Sequence, residues 1–140
     1  MSKVAIVYYS STGNTKAMAL GVAEGVKAAG GEAKVIECGN FGEDQVSEYD
    51  GFALGCPAMG DESLDDTEFQ PMYDSIKGSL SGKKVALFGS YGWGDGEWMR
   101  SWEADIKAAG VTLAADSVIA NETPDSDALT QCKALGAALV

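Results

Sequence analysis

The chain has 140 residues, of which 46% are hydrophobic and 22% charged, and we expect one domain over residues 1–140 with a buried core. Its 21 acidic and 10 basic residues leave a net charge of −11, which argues against nucleic acid as a partner because phosphate backbones need a positive surface. No apolar run approaches the roughly 20 residues of a membrane span, and the first residues have no signal-peptide layout. We therefore expect a cytoplasmic protein that binds neither nucleic acid nor a membrane.

Short apolar runs alternate with amphipathic segments along the chain. The runs predict strands at residues 3–9, 33–37, 51–55, 84–89 and 112–120. Between them, apolar side chains recur at helical spacing in four stripes, and a short helix is predicted near residues 42–47. The stripes are Met18, Val22, Val26 and Ala29; Phe69, Tyr73, Ile76 and Leu80; Trp98, Trp102 and Ile106; and Ala128, Cys132, Leu135 and Leu139. This order predicts an α/β protein whose parallel sheet is covered by helices on both faces.

The cysteines are few and the chain has no histidine. Cys38, Cys56 and Cys132 are widely spaced and form no CxxC pair. Zinc, iron–sulfur and dithiol sites therefore have little support, and hydrolytic triads lack their usual base. We expect reduced thiols in or near the core and no metal site.

Ligands of such sheets bind beyond the carboxyl ends of the strands, where the strand order reverses. This rule selects the loops at residues 10–15, 56–66 and 90–97, which follow the first, third and fourth predicted strands. The same loops are the most unusual stretches of the sequence.

The first loop is rich in hydroxyl groups and opens a predicted helix. It consists of Ser10, Ser11, Thr12, Gly13, Asn14 and Thr15. The unpaired N–H groups and the positive end of the helix, together with these side chains, fit a phosphate. The loop lacks the lysine of the nucleotide-binding GxxxxGK[ST] loop, which favours a small monophosphate cofactor over ATP. A helix cap would explain one such side chain, whereas the loop has five around a glycine.

The second loop has the composition of a tight turn. It includes Ala58, Met59, Gly60, Asp61 and Glu62. Glycine adopts positive φ freely and aspartate tolerates it, so Gly60 and Asp61 suit the centre of a turn. Taken alone, the loop is better interpreted as a surface turn in which Met59 covers the sheet edge.

The third loop surrounds two aromatic residues with glycines. It includes Ser90, Tyr91, Gly92, Trp93 and Gly94. Trp93 is placed either to stack on a planar ligand or to fold back into the core. The GxGxG spacing and the position after the fourth strand differ from the dinucleotide fingerprint GxGxxG.

Together the three loops predict one ligand with a phosphate at one end and a flat ring at the other. The ring would lie between Met59 and Trp93. Flavin mononucleotide (FMN) has this shape, and we take it as the expected cofactor.

The same loops resemble those of short-chain flavodoxins from anaerobes. The matching stretches are residues 10–15, 55–62 and 89–96, and the likeness runs over essentially the whole chain, including residues 83–88. Long-chain flavodoxins carry an insertion in the last strand, whereas residues 111–120 run here without interruption. The resemblance implies non-covalently bound FMN in a flavodoxin-like, doubly wound sheet of five parallel strands in the order 2-1-3-4-5.

The resemblance also implies a role for each loop. Residues 10–15 hold the phosphate, Trp93 stacks on the outer face of the ring, and Met59 covers the inner face. The peptide between Gly60 and Asp61 turns over upon one-electron reduction, so that its carbonyl accepts a hydrogen bond from the ring.

The pyrimidine end of the ring has its own expected contacts. Glu62 would approach it with its side chain, and the backbone of residues 90–92 would contact the same end. Ala58 and Gly94 belong to the same motifs and are expected to border the cofactor. Pro57 has no N–H group and cannot donate a hydrogen bond to it.

In function, the resemblance implies a low-potential one-electron carrier that cycles FMN through oxidised, neutral semiquinone and anionic hydroquinone forms. Residues 61–68 contain five acids and no base, and this charge would lower the second potential. These acids are Asp61, Glu62, Asp65, Asp66 and Glu68. Expected partners are redox proteins that dock through basic patches, either ferredoxin-linked oxidoreductases or a flavodoxin reductase. We expect a monomer without enzymatic activity of its own.

Other functions of related folds fit less well. An FMN-dependent NAD(P)H:quinone reductase needs room for nicotinamide over the ring, where Trp93 is expected to stack. A phosphoacceptor receiver needs acids after the first strand, where Ser10 and Ser11 stand. A cysteine phosphatase needs a cysteine in the first loop, which has none.

Overall fold

Strands and helices alternate along the chain in the computed structural model, which describes residues 2–10, 12–59, 62–92 and 94–140. The strands are β1 Lys3–Tyr8, β2 Glu32–Glu37, β3 Gly51–Gly55, β4 Lys84–Tyr91 and β5 Val118–Asn121. The α-helices are α1 Asn14–Ala28, α2 Phe69–Ile76, α3 Glu97–Ala108 and α4 Ser126–Ala138. Short 3₁₀ helices lie at Cys38–Asn40, Glu43–Glu48 and Lys77–Ser79, and the second of them is the predicted short helix.

The five strands form one parallel sheet in the order β2-β1-β3-β4-β5, which confirms the predicted topology. From β1 the chain crosses outward to β2 and then returns to β3 on the other side of β1. The strand order therefore reverses between β1 and β3, and the loops after these two strands face the same crevice.

Side chains alternate between two buried layers, as expected for strands that are covered on both faces. On one face Val7, Leu54 and Leu87 pack against α2 and α3. On the other face, residues such as Ile6 and Phe88 pack against α1 and α4. The predicted helical stripes supply these contacts, except that Ala29 lies just past the end of α1 and is exposed.

Helices α1 and α4 touch each other backbone to backbone. A Cβ atom on Gly25 would overlap the carbonyl of Lys133, and one on Gly136 would overlap the carbonyl of Val22. These two glycines therefore set the distance between the helices.

The last strand is shorter than the sequence predicted. We expected residues 112–120, but β5 begins at Val118. Val85 of β4 forms an isolated bridge to Leu113, whereas Phe88, three residues further along β4, pairs with Val118, five residues after Leu113. The extra residues leave the ladder, and the hydroxyl of Ser117 donates instead to Glu103 of α3 at 2.6 Å.

The thiols of Cys38, Cys56 and Cys132 are free and buried, as expected. Within the described residues, no helix combines the length and the apolar character that crossing a membrane requires.

Candidate cofactor site

The first loop joins the end of β1 to the start of α1. The Ser10 hydroxyl accepts hydrogen bonds from the N–H groups of Gly13, at 3.0 Å, and Lys16, at 3.3 Å. The N–H of Asn14 points to the Thr12 hydroxyl at 3.5 Å. Gly13 has φ +93°, and the space around its Cβ position is open. Glycine is therefore favoured at this position by the backbone conformation and not by crowding. The loop thus gathers hydroxyl and N–H groups at the positive end of α1.

Thr15 differs from the rest of this loop. It is buried, and its hydroxyl oxygen lies 2.9 Å from that of Ser90, which is also buried. Ser90 in turn accepts the N–H of Ala58 on its carbonyl at 2.9 Å. Ser90 therefore connects the ends of all three loops.

Met59 and Glu62 are joined by hydrogen bonds in the second loop. The N–H of Glu62 donates to the carbonyl of Met59, and the N–H of Met59 donates to the carbonyl of Ser63, both at 2.9 Å. Glu62 has φ +54°, a left-handed conformation that is uncommon for a residue other than glycine.

Asp65 anchors the rest of the second loop and was not anticipated in this role. Its carboxylate accepts the N–H groups of Glu68, at 2.8 Å, and Phe69, at 2.9 Å, and the hydroxyl of Thr67, at 3.1 Å. Its own N–H donates to the sulfur of Cys56 at 3.4 Å. Burial opposes ionisation of Asp65, but these hydrogen bonds outweigh it and hold the pKa of the carboxyl below its usual range. Its charge is therefore compensated locally by the start of α2.

The third loop is held by the first turns of α3. Arg100 donates to the Asp95 carboxylate at 2.9 Å and to the Asp95 carbonyl at 3.0 Å. The hydrogen bond from Arg100 and its positive charge lower the pKa of Asp95. The indole N–H of Trp98 donates to the carbonyl of Cys56 at 3.1 Å, which ties α3 to the second loop.

The second and third loops meet at Glu62 and Gly94. Gly94 has φ +85°, and a Cβ atom there would overlap the Glu62 carboxylate. Glu62 Oε1 is buried and has no hydrogen-bond partner among the described residues. A buried carboxylate oxygen of this kind is suited to accept a hydrogen bond from a ligand.

A cleft of about 370 Å³ opens between these loops, within the size range of small-molecule sites. Its lining comprises Thr12, Asn14, Pro57, Ala58, Ser90, Tyr91, Gly92, Glu122 and Thr123. It therefore joins the first and third loops and touches the second at residues 57 and 58. Sequence reasoning missed Glu122 and Thr123, although their position directly after β5, beyond the same edge of the sheet, could have suggested them.

Four residues of the predicted site lie outside the described residues: Ser11, Gly60, Asp61 and Trp93. The roles expected of them, including the stacking of Trp93 and the turning peptide of Gly60, stay predictions.

Comparison with known proteins agrees with this geometry. The family model described as Flavodoxin matches residues 6–136. The flavodoxin of Megasphaera elsdenii is 44% identical over 135 residues, which are 96% of each chain, and that of Clostridium beijerinckii is 44% identical over 120 residues, 86% of this chain and 87% of the other. The solution structure of the two-electron reduced M. elsdenii flavodoxin superposes with a TM-score of 0.90, at 45% identity and with 97% of each chain covered.

This chain belongs to the flavodoxin family. It is a short-chain flavodoxin of the type found in anaerobes, its cofactor is FMN, and it carries electrons between redox partners. The described residues suit such a group: the hydroxyl-rich start of α1 fits the phosphate, and the unpaired Glu62 oxygen fits a ring N–H donor.

Proposed function

We propose that this flavodoxin is a low-potential one-electron carrier and that FMN lies in the cleft at the carboxyl edge of the sheet. The observation that carries the proposal is the convergence of three loops on Ser90, from strands on both sides of the point where the strand order reverses. Bound FMN supplies a ring that accepts and releases electrons singly.

In the proposed site, the loop around the start of α1 binds the phosphate. The residues are Ser10, Ser11, Thr12, Gly13, Asn14 and Thr15. Thr15 would act through its backbone, because its hydroxyl is engaged by Ser90. No lysine or arginine belongs to the described lining of the cleft, so backbone dipoles and hydroxyl groups would bind the phosphate.

Around the ring, the second and third loops provide the contacts. The residues are Ala58, Met59, Gly60, Asp61, Glu62, Ser90, Tyr91, Gly92, Trp93 and Gly94. Glu62 is the side chain best supported by the geometry, since its buried oxygen lacks a protein partner within the described chain.

Acidity near the ring would lower the potential of the second electron. One carboxylate about 10 Å from a new negative charge costs roughly 0.4 kcal/mol in water and roughly 1.7 kcal/mol at an effective dielectric constant of 20. Glu62, Asp66 and Glu68 keep partly or fully exposed side chains in the second loop, whereas Asp65 is neutralised in part by its N–H donors. Replacing Glu62 and Asp66 by their amides should raise that potential, and Glu32→Gln at the opposite edge of the sheet should leave it unchanged. An unchanged potential in the amide variants would disprove this account.

The distribution of charge supports partners with basic surfaces. Lys3 and Lys84 begin β1 and β4, and Lys27 and Lys107 lie in the last turns of α1 and α3, all at the amino edge of the sheet. At the carboxyl edge, Arg100 is paired with Asp95, and Lys16 in the first turn of α1 is a further cation near the loops. We propose a cytoplasmic monomer that presents its acidic cofactor edge to basic patches of ferredoxin-linked oxidoreductases or a flavodoxin reductase.

We further propose that the chain has no enzymatic activity of its own. The alternative is an FMN-dependent NAD(P)H:quinone reductase. Addition of NADH alone under anaerobic conditions separates the two: a carrier keeps its yellow colour, and a reductase bleaches.

The main test is an absorption spectrum during stepwise dithionite reduction without oxygen. Two separate one-electron steps, the second at strongly negative potential, are the expected result. A single two-electron step would favour the reductase, and a colourless chain that binds no added FMN would overturn the proposed site.

A further inference from the structure

The residue that follows β5 has an unusual backbone. Glu122 has φ +57°, and among the described residues only Glu62 shares a positive φ without being glycine. Its N–H donates to the carbonyl of Tyr91 at 2.7 Å, so the turn is fixed to the end of β4. The left-handed conformation is unfavourable for a residue with a Cβ atom and natural for glycine. A glutamate at this position is therefore uncommon, which draws attention to its side chain.

Glu122 belongs to the wall of the cleft, and its side chain is exposed. Thr12 and Asn14, at the positive end of α1, line the same space. A sphere of the cleft's volume, about 370 Å³, would be roughly 9 Å across, which is shorter than the Debye length of about 30 Å at about 10 mM salt. Glu122 is the one carboxylate in the described lining, which contains no lysine or arginine.

We propose that Glu122 weakens the binding of the anionic end of FMN and thereby reduces the preference of the site for FMN over riboflavin. This inference rests on the proposed function, because it takes the cleft for the FMN site. A carboxylate across the cleft repels a phosphate group, and the described lining holds no cation to offset it, since Lys16 in the first turn of α1 is not part of that lining. The repulsion penalises flavins that carry a phosphate and spares riboflavin, which has none. Since Glu122 is exposed, salt screens the effect.

The test compares FMN and riboflavin binding to the apoprotein by quenching of flavin fluorescence. Glu122→Gln removes the charge and keeps the shape and the backbone. At about 10 mM salt we expect it to bind FMN roughly three- to tenfold more tightly than the wild type, and riboflavin within about twofold. At about 0.5 M salt the gain for FMN should fall below about twofold.

Two further variants control for net charge and for fold. Glu32→Gln makes the same charge change at the amino edge of the sheet, where β2 begins, and should alter neither affinity by more than about twofold. Glu122→Asp keeps the charge and should bind FMN like the wild type. Circular dichroism of each apoprotein checks that the fold is retained.

Several outcomes would overturn the inference. They are a Glu122→Gln protein that behaves like Glu32→Gln, one that binds FMN more weakly, and one whose affinity for riboflavin changes as much as that for FMN. A wild-type apoprotein that binds neither flavin would overturn the proposed site as well. If the wild type binds both flavins, the proposed cofactor site stands. The comparison of Glu122→Gln with Glu32→Gln then tests the role of Glu122 by itself.

Discussion

The hydroxyl oxygens of Thr15 and Ser90 lie 2.9 Å apart in the interior of the protein, and they join the first turn of α1 to the end of β4. We expect Thr15→Val to lower the free energy of unfolding of the apoprotein by about 1–2 kcal/mol, because it leaves the buried Ser90 hydroxyl without this partner. A double-mutant cycle with Ser90→Ala, followed by urea denaturation, should give a coupling energy of about 1 kcal/mol. FMN should also bind more weakly to both single variants.

Thr130→Val is the matched control for this cycle. The Thr130 hydroxyl donates to the carbonyl of Ser126 on the exposed side of α4. Its loss should change stability by less than about 0.5 kcal/mol. Strict additivity of Thr15→Val and Ser90→Ala would show that the short distance contributes no energy.

Gly94 and Gly30 provide a matched pair of glycines with positive φ. Gly94→Ala introduces a Cβ atom at φ +85° against the Glu62 carboxylate, whereas the Cβ position of Gly30, at φ +91° just after the end of α1, is open. The Glu62 side chain can move away, so the apoprotein should lose only about 1 kcal/mol, mainly from the backbone conformation. FMN affinity should fall at least about tenfold, since the displaced carboxylate gives up a charged hydrogen bond. Gly30→Ala should cost a similar amount of stability and bind FMN within about twofold of the wild type, and an equal loss of FMN affinity in both variants would contradict the role assigned to Glu62.

Asp65 should make stability depend on pH. Its pKa is lower in the folded protein than in the unfolded chain, so its contribution is present above the unfolded pKa of about 3.9 and disappears as the pH falls through the lower, folded value. At pH 7 we expect Asp65→Asn to cost about 2–3 kcal/mol, because an amide cannot replace a carboxylate that accepts several hydrogen bonds. The difference from the wild type should shrink steadily below about pH 4. The neighbouring exposed variant Asp66→Asn should lack this pattern, and a cost for Asp65→Asn that is independent of pH would refute the explanation.

The three thiols should be unreactive in the folded state. Burial raises the pKa of Cys38 to about 11 and that of Cys132 to about 12, and it raises that of Cys56 as well. Near pH 8 very little thiolate is therefore present, and each sulfur is covered. Ellman's reagent should label none of them within minutes in buffer and all three in about 6 M guanidinium. A rapid phase in native buffer would reveal an accessible cysteine.

Most of the fold could be predicted because its pattern is local. Burial can be inferred directly from a continuous apolar run such as residues 51–55, and from a helical stripe such as Trp98, Trp102 and Ile106. The start of β5 could not be predicted in this way, because it depends on how the strand pairs with β4. Residues 112–117 contain enough apolar side chains for a strand, but of these residues only Leu113 bridges to β4, and the register changes before Val118.

The site could be predicted as far as its loops, but not as far as its internal contacts. In the sequence, nothing distinguishes Asp65 from the other acids of its loop. Only the tertiary structure shows that its carboxylate accepts hydrogen bonds at the start of α2. The sequence predicts that Thr15 contributes to phosphate binding like its neighbours. In the structure its hydroxyl instead lies next to that of Ser90, which is 75 residues away in the chain. Glu122 carries no motif at all, and its relevance comes from where β5 ends.

The contact between α1 and α4 has a consequence for how the protein acquires its flavin during synthesis. The phosphate loop opens α1, yet the apolar side of that helix is covered by α4, which the ribosome makes about a hundred residues later. A nascent chain that stops before Ser126 should therefore expose that side of α1 and fail to quench FMN fluorescence, whereas a stalled chain with α4 outside the exit tunnel should quench it. Cofactor loading would then wait until α4 has been made and has left the exit tunnel.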